Sequence, residues 1–189
     1  MNVVAERTRA RISVELYHEM VATGALTKND RVELIEGDLL TMAPIGSQHA
    51  LLSMRITKLL VRGVGDTAEV AIAGPLNLGG FSEPQPDVML LRPRADYGQR
   101  IAQSDDALLV VEISDSTLGF DQTAKLSLYA RNGIAEYWVV DVAGKCIHVY
   151  RDPIDADYAE RNEVSGNALI SPRSLPQLRL KVRDIFGSD

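Results

Sequence analysis

Cysteine is nearly absent from this chain, which has Cys146 alone among its 189 residues. A single cysteine excludes an internal disulfide and is typical of proteins from a reducing compartment. No apolar run approaches the roughly 18 residues that a membrane helix needs. No apolar stretch follows the arginines near the start either, so a secretory signal is not expected. We therefore expect a soluble, cytoplasmic protein with no membrane partner.

An excess of basic residues is also missing. Acidic residues number 26 and basic residues 20, which gives a formal net charge of −6 at pH 7. This balance argues against nucleic-acid affinity from bulk charge. It does not exclude a nuclease, because a metal site concentrates carboxylates and basic groups can cluster on one face. The apolar fraction of 46% is that of a globular protein, and the length suits one domain over residues 1–189.

Hydrophobic periodicity predicts an α/β (α+β) protein. Period-3.6 patterns predict helices over residues 13–23, 49–62 and 121–131. Alternating or continuous apolar runs predict strands over residues 32–35, 39–42, 69–73, 87–91, 108–113, 137–140 and 147–150. Some strands are joined by short turns and others by a helix, so we expect a mixed sheet covered by helices, preceded by a helix and a β-hairpin.

Glu112 is the residue that most suggests chemistry. It ends the apolar run from Leu108, which reads as a strand buried on both faces. An ionised carboxylate at such a position is costly unless it is paired or binds a metal. A structural ion pair is the simpler interpretation for Glu112 taken alone. Asp141 closes another apolar strand, but the Val-Ala-Gly that follows explains it as a turn residue.

Asp87 changes the interpretation of Glu112. It follows Pro86 and precedes an apolar strand, so alone it could be a strand-entry residue. If the two strands are neighbours, both carboxylates can converge on one point. Two hard oxygen ligands, with water and a substrate phosphate, suit Mg²⁺ or Mn²⁺.

Lys125 has two interpretations. It could form an i,i+4 pair with Asp121, which resembles a helix N-cap. Helical side chains also lean toward the N-terminus, so Lys125 could reach back to the strand end that bears Glu112. There its charge could orient a nucleophilic water and offset charge that develops on a phosphate.

These residues belong to a longer pattern that covers roughly residues 13–151. With it the chain resembles the Uma-type family of putative restriction endonucleases, within the PD-(D/E)XK nuclease superfamily. The pattern consists of Glu33-Leu34-Ile35-Glu36-Gly37, residues 43–49, Pro86-Asp87, Val111-Glu112-Ile113-Ser114, Asp121-x-x-x-Lys125, Tyr129 and Gly133-Ile134-Ala135-Glu136-Tyr137-Trp138-Val139-Val140-Asp141.

The resemblance implies a restriction-endonuclease-like mixed sheet and metal-dependent hydrolysis of DNA. It assigns Asp87 and Glu112 as the metal-binding acids. The superfamily lysine is expected two residues after Glu112, where Ser114 stands, and the family places this lysine on the following helix, at Lys125. Glu36 matches an acid of the family's N-terminal hairpin and is a further catalytic candidate, or else a solvent-facing turn acid. The residues themselves, apart from the resemblance, predict an irregular extension over 152–189, with weaker strand signals near 168–170 and 178–182.

A basic stripe is the best candidate for a DNA contact. Arg55, Lys58 and Arg62 lie on one side of the second predicted helix, although such a stripe is usually a solvated face. His49 is expected to be a helix-start residue rather than a ligand. Tyr137 and Trp138 are expected to pack rather than stack on bases.

Two functions from different classes remain. The first is a Mg²⁺-dependent endonuclease, and the second is a non-catalytic protein that keeps the nuclease fold for binding or regulation. The presence of Asp87, Glu112 and Lys125 together favours the enzyme. A homodimer is expected, because two symmetric sites cut both strands of a duplex most simply.

Overall fold

The computed structural model describes residues 9–27 and 29–187, and the backbone forms two compact units. The smaller unit contains the described residues up to Ala43 together with Asn77–Pro84. Its elements are α1 (Val14–Ala22), β1 (Val32–Ile35) and β2 (Asp38–Thr41), and the two strands form an antiparallel hairpin. The predicted helix and hairpin before the main sheet are confirmed.

Local chemistry explains these elements. The side chain of Ser13 caps α1 by accepting a hydrogen bond from the Leu16 amide at 3.2 Å. Val14 and Tyr17 of α1 pack with Leu34 in a small apolar core. Gly37 turns the hairpin at a φ of +88°, and a side chain there would lie 2.6 Å from Cβ of Arg11. The turn therefore requires glycine.

The larger unit contains Pro44–Leu76 and the described residues from Gln85 onward. It begins with α2 (Ser47–Val64) and β3 (Glu69–Ile72), and β4 (Leu76–Asn77) crosses its boundary. The following elements are β5 (Val88–Leu91), β6 (Ala102–Gln103), β7 (Ala107–Ser114), α3 (Leu118–Phe120), a π-helical turn (Asp121–Lys125), α4 (Leu126–Arg131), β8 (Glu136–Asp141), β9 (Cys146–Ile154), β10 (Asp157–Ser165), β11 (Leu169–Ile170), β12 (Leu180–Lys181) and α5 (Val182–Phe186).

A six-stranded mixed sheet organises this unit, with strand order β10-β9-β8-β7-β5-β3. The pair β7 and β8 is parallel, and the other neighbours are antiparallel. A parallel pair needs a crossover, and the helical segment from Leu118 to Arg131 supplies it. The predicted mixed sheet flanked by helices is confirmed.

The two faces of the sheet differ. On one face, Val111 and Ile113 of β7 join the main apolar core with residues of α2 and α5. Side chains alternate along a strand, so Glu112 and Ser114 lie on the opposite face, where the crossover helix contacts them. The candidate functional site lies on this second face, at the C-terminal end of β7.

The C-terminal segment, expected to be irregular, is instead largely regular through residue 187. The strand β9 continues to Ile154 and pairs with β10 along its length. Ile170, Leu180 and Ile185 join the main core. The sequence concealed β10 because it is an edge strand whose exposed residues are mostly polar.

Among the helices in the described part of the chain, none has the length and apolar character of a membrane span.

Candidate functional site

Asp87 is held at the junction of three strands. Val88 pairs with Val111 in the antiparallel register of β5 and β7, so Asp87 falls beside Glu112 when that register is extended by one residue. Oδ2 of Asp87 accepts a hydrogen bond from the Ile113 amide at 2.7 Å. The Asp87 carbonyl accepts one from the Ala73 amide, at the end of β3, at 3.0 Å. The side chain is 22% exposed, so a small ion or solvent can reach the carboxylate.

His49 contacts the other oxygen of the same carboxylate. It lies in the first turn of α2, and its Nε2 is 3.0 Å from Oδ1 of Asp87. The hydrogen bond to Asp87 raises the pKa of His49 against the opposing effect of burial, and the charges of Asp87, Asp115 and Asp121 raise it further. Nδ1 of His49 is buried and has no hydrogen-bond partner in the described residues. His49 was expected to be a helix-start residue, and the structure places it against the predicted ligand.

Glu112 is buried at 4% exposure and accepts two hydrogen bonds at Oε1. One comes from Nζ of Lys125 at 3.0 Å, and the other from the hydroxyl of Tyr129 at 2.7 Å. Lys125 and Tyr129 are four residues apart on the crossover helix, which places both on one helix face. The structure therefore brings Glu112 and Lys125 together, as the strand-end interpretation of Lys125 predicted.

The crossover helix begins earlier than predicted, and Asp121 is not its N-cap. The helix starts at Leu118, and Asp121 opens a π-helical turn in which the Leu126 amide donates to the Asp121 carbonyl. The Asp121 carboxylate is buried and accepts hydrogen bonds from the hydroxyls of Ser114 at 2.6 Å and Thr117 at 2.5 Å. Asp121 therefore ties the helix start to the end of β7, and π-helical turns often occur at functional sites.

The pKa of Tyr137 is affected by the charges of this region. Its ring lies 4.9 Å from that of Tyr129, and its hydroxyl donates to the Asp121 carbonyl at 3.1 Å. Burial raises the pKa of Tyr137 well above its ordinary value, and the charges of Glu112 and Asp121 add to the effect. The charges of Glu112 and Asp121 therefore act on the pKa of this hydroxyl in the same direction as burial.

The three residues of the basic stripe have different surroundings in the structure. Nη1 of Arg55 donates to the carbonyl of Phe186 and, at 3.5 Å, to that of Ile185, so this guanidinium stabilises the end of α5. Lys58 and Arg62 are exposed to solvent. The structure therefore separates Arg55 from the other two, and the DNA role of all three residues stays a prediction.

Glu36 lies in the smaller unit, in the turn between β1 and β2, at a φ of +52°. Its amide donates to Oγ of Ser82 at 2.9 Å, and its carbonyl accepts a hydrogen bond from Nε of Arg11 at 2.8 Å. The side chain is exposed. These contacts explain the turn, and the catalytic role of Glu36 stays a prediction.

The fold is thus a mixed sheet flanked by helices, in which Asp87 lies beside Glu112 in register and Lys125 contacts the Glu112 carboxylate. Residues 14–183 match the family described as "Uma2: Putative restriction endonuclease". The match covers most of the chain, and the protein belongs to this family. The resemblance stated from the motifs is therefore confirmed.

One solved structure and one further protein sequence are similar to this chain. A crystal structure described as a putative nuclease belonging to DUF820, from Anabaena variabilis, superposes with a TM-score of 0.72 at 17% identity, and covers 93% of this chain and 97% of that one. At that identity the likeness shows the fold. A protein of Synechocystis described as uncharacterized is 24% identical over 119 residues, which are 59% of this chain and 67% of that protein.

Proposed function

We propose that this protein is a metal-dependent endonuclease that hydrolyses phosphodiester bonds of DNA, with Mg²⁺ or Mn²⁺ held by Asp87 and Glu112. The observation that carries the proposal is the cluster at the end of β7, where Asp87 falls beside Glu112 and Lys125 contacts the Glu112 carboxylate. Membership of a family described as putative restriction endonucleases supports the same reaction.

The residues present fit a hard divalent cation. Four carboxylates gather here, because the charges of Asp87, Asp115 and Asp121 reach His49, and Glu112 lies beside Asp87 in register. Lys125 contacts Glu112, and His49 contacts Asp87. The excess of negative charge and the oxygen donors suit Mg²⁺ or Mn²⁺ better than a soft metal.

A bound divalent ion would polarise the scissile phosphate and lower the pKa of an attacking water. The chain's own groups have separate tasks. Asp87 and Glu112 would hold the ion, and Tyr129 donates a hydrogen bond that fixes the carboxylate of Glu112. The ammonium of Lys125 offsets negative charge that develops on the phosphate. His49 positions Asp87, because it holds Oδ1 while the Ile113 amide holds Oδ2.

DNA contact, assembly and compartment belong to the same proposal. We assign Lys58 and Arg62 to phosphate contacts because they are exposed on one helix, and Arg55 to the structural support of α5 beside them.

A homodimer would present two sites to the two strands of a duplex. The single cysteine suits a cytoplasmic enzyme. With a net charge of −6, binding should be weak and should weaken further as the salt concentration rises.

Cleavage of supercoiled plasmid tests the proposal. Wild-type protein with Mg²⁺ or Mn²⁺ should convert the plasmid to nicked and linear forms, and EDTA should stop the reaction. The Glu112→Gln variant keeps the side-chain shape and should be inactive, whereas Glu163→Gln, which changes an exposed acid of β10, should remain active. If wild-type and Glu112→Gln proteins give equal cleavage, the activity is a contaminant. If purified wild-type protein binds plasmid without cutting it at any metal concentration, the protein is a non-catalytic nuclease-fold binder.

A further inference from the structure

A second group of ligand-type side chains lies where β8 turns into β9. Asp141 ends β8 and is the register partner of Cys146, the first residue of β9. His148 follows two residues later and so shares a face of the strand with Cys146. A carboxylate oxygen of Asp141, Sγ of Cys146 and a ring nitrogen of His148 all lie within 4.8 Å of one another.

We propose that Asp141, Cys146 and His148 form a binding site for a transition-metal dication of the Zn²⁺ class. Its ligand types differ from those of the proposed nuclease centre, and it lies on the same face of the sheet as Glu112, since Asp141 is the register partner of Ser114. Thiolate and imidazole ligands select Zn²⁺ and related ions, whereas the acids near β7 suit Mg²⁺. The proposal does not depend on nuclease activity.

The separations of the donor atoms fit one ion. Sγ of Cys146 and Nε2 of His148 are 3.7 Å apart. A tetrahedral Zn²⁺ with bonds of about 2.3 Å to sulfur and about 2.0 Å to nitrogen sets those atoms roughly 3.5 Å apart. The pair can therefore bind an ion after a shift of a few tenths of an ångström.

The two oxygens of Asp141 have different surroundings. Oδ1 accepts a hydrogen bond from the Gly144 amide at 2.8 Å and so forms the turn that the sequence predicted. Oδ2 lies above Gly144 beside Sγ of Cys146, since a side chain at Gly144 would lie 2.4 Å from Oδ2 and 3.3 Å from Sγ. Glycine therefore leaves the space over both donor atoms open, and the exposed turn gives an ion a path from solvent.

Glu163 on β10 lies on the outer side of the histidine, within a small shift of the hydrogen bond that histidine ligands usually make. It is the register partner of His148, and its Oε2 lies 3.7 Å from Nδ1 of that ring. A carboxylate near Nδ1 favours a proton on that nitrogen, which leaves Nε2 with its lone pair directed toward Cys146. Three strands thus contribute to one arrangement: β8 and β9 supply ligands and β10 orients the histidine.

Cys146 would bind such an ion as the thiolate, so the binding of a dication would release the thiol proton to solvent. The ion would join the ends of β8 and β9 and stabilise this hairpin.

Cobalt provides a direct test, because Co²⁺ bound to a thiolate has a ligand-to-metal charge-transfer band. Cys146 is the only cysteine of the chain, so such a band identifies its ligand without any variant. Titration of metal-free protein with Co²⁺, in excess Mg²⁺, should give the band at one Co²⁺ per chain, and Zn²⁺ should remove it. Absence of the band at saturating Co²⁺ would overturn the proposal, and one Co²⁺ per two chains would replace it with a site shared between copies.

Variants then assign the other ligands. Cys146→Ser should abolish the band. Asp141→Asn retains a turn-forming side chain, so a weaker Co²⁺ affinity in this variant reports the loss of a ligand and not of the turn. His148→Asn should weaken Co²⁺ binding further, and Glu163→Gln should weaken it about 10- to 100-fold, the usual effect of an outer contact. Glu69→Gln, which changes an exposed acid of β3, is the matched control and should leave the titration unchanged. Unchanged affinity in both His148→Asn and Asp141→Asn would contradict the assignment.

Discussion

The ammonium of Lys125 donates a hydrogen bond to Oε1 of Glu112 at 3.0 Å, and the two side chains are only 8% and 5% exposed. The residues are 13 positions apart, and the crossover helix brings them together. Removal of one member of a buried ion pair leaves the other charge without compensation. Lys125 therefore affects both stability and the proposed chemistry, and the two effects can be separated.

Replacement of Lys125 by Met should destabilise the metal-free protein by about 3 to 5 kcal/mol, since Glu112 stays buried without its cationic partner. Mg²⁺ should restore part of this loss because the ion compensates the Glu112 charge. Plasmid cleavage should fall by about two to three orders of magnitude even with Mg²⁺. Urea unfolding and cleavage rates measure the two effects.

Tyr129→Phe is the control for this variant. It removes the second hydrogen bond to Glu112 and no charge, so it should cost about 1 to 2 kcal/mol and retain most of the activity. Equal loss of activity in both variants, in proportion to their loss of stability, would return Lys125 to a purely structural role.

His49→Ala should weaken Mn²⁺ binding about 10- to 100-fold, because Asp87 loses the contact that fixes Oδ1. Isothermal titration calorimetry measures the change. His49→Gln can still donate to Asp87 and should recover part of the affinity. His18→Ala is the matched control, since His18 pairs with Glu83 in the smaller unit. If His49→Ala binds Mn²⁺ as tightly as wild type, His49 does not position the ligand.

Asp87→Asn should remove the rise in melting temperature that Mg²⁺ or Mn²⁺ gives to the wild-type protein. A ligand that binds only the folded state stabilises it by mass action, and this variant lacks one of the two proposed ligands. Asparagine keeps an oxygen that can accept from the Ile113 amide, so the metal-free variant should fold. Thermal melts with and without metal provide the comparison, and an unchanged metal-induced rise would exclude Asp87 as a ligand.

The free energy of unfolding should depend on pH through Asp106, the residue that precedes β7. Burial alone would raise the pKa of Asp106, but the hydrogen bond from the Gln103 amide and the guanidinium of Arg100 outweigh it and lower the pKa below 3.8. A lowered pKa stabilises the fold above the unfolded value, and this contribution is lost as the pH falls through the folded value.

Asp106→Asn should therefore destabilise the protein by about 1.5 to 3 kcal/mol near pH 7. The difference from wild type should shrink as the pH falls below about 4. Urea unfolding across that range measures it, and a difference that grows toward acid would show that Asp106 is not the responsible group.

The sequence was informative where one chemical requirement dominates a segment. The continuous apolar run before Glu112 predicted a buried strand and a carboxylate that needs a partner, and β7 has both. The sequence did not identify Lys125 as that partner, because it offered Lys125 a second, local partner in Asp121, four residues earlier. The contact with Glu112 depends on how the crossover helix packs, which no local pattern encodes.

Other elements were hidden for physical reasons. The start of the crossover helix was misplaced because Asp121 resembles an N-cap, whereas its carboxylate accepts hydrogen bonds from Ser114 and Thr117 inside the fold. The contact between His49 and Asp87 joins residues from α2 and the start of β5, so no spacing in the sequence predicts it. The Cys146 and His148 cluster was missed because its third ligand, Asp141, was already explained as a turn residue.

Anomalous diffraction from crystals soaked in Mn²⁺ tests most directly whether Asp87 and Glu112 share one divalent ion. A peak should lie about 2.1 Å from a carboxylate oxygen of each residue and should be absent from Glu112→Gln crystals soaked in the same way. A peak that contacts Asp87 or Glu112 but not both, or no peak at saturating Mn²⁺ in protein that cuts plasmid, would contradict the claim.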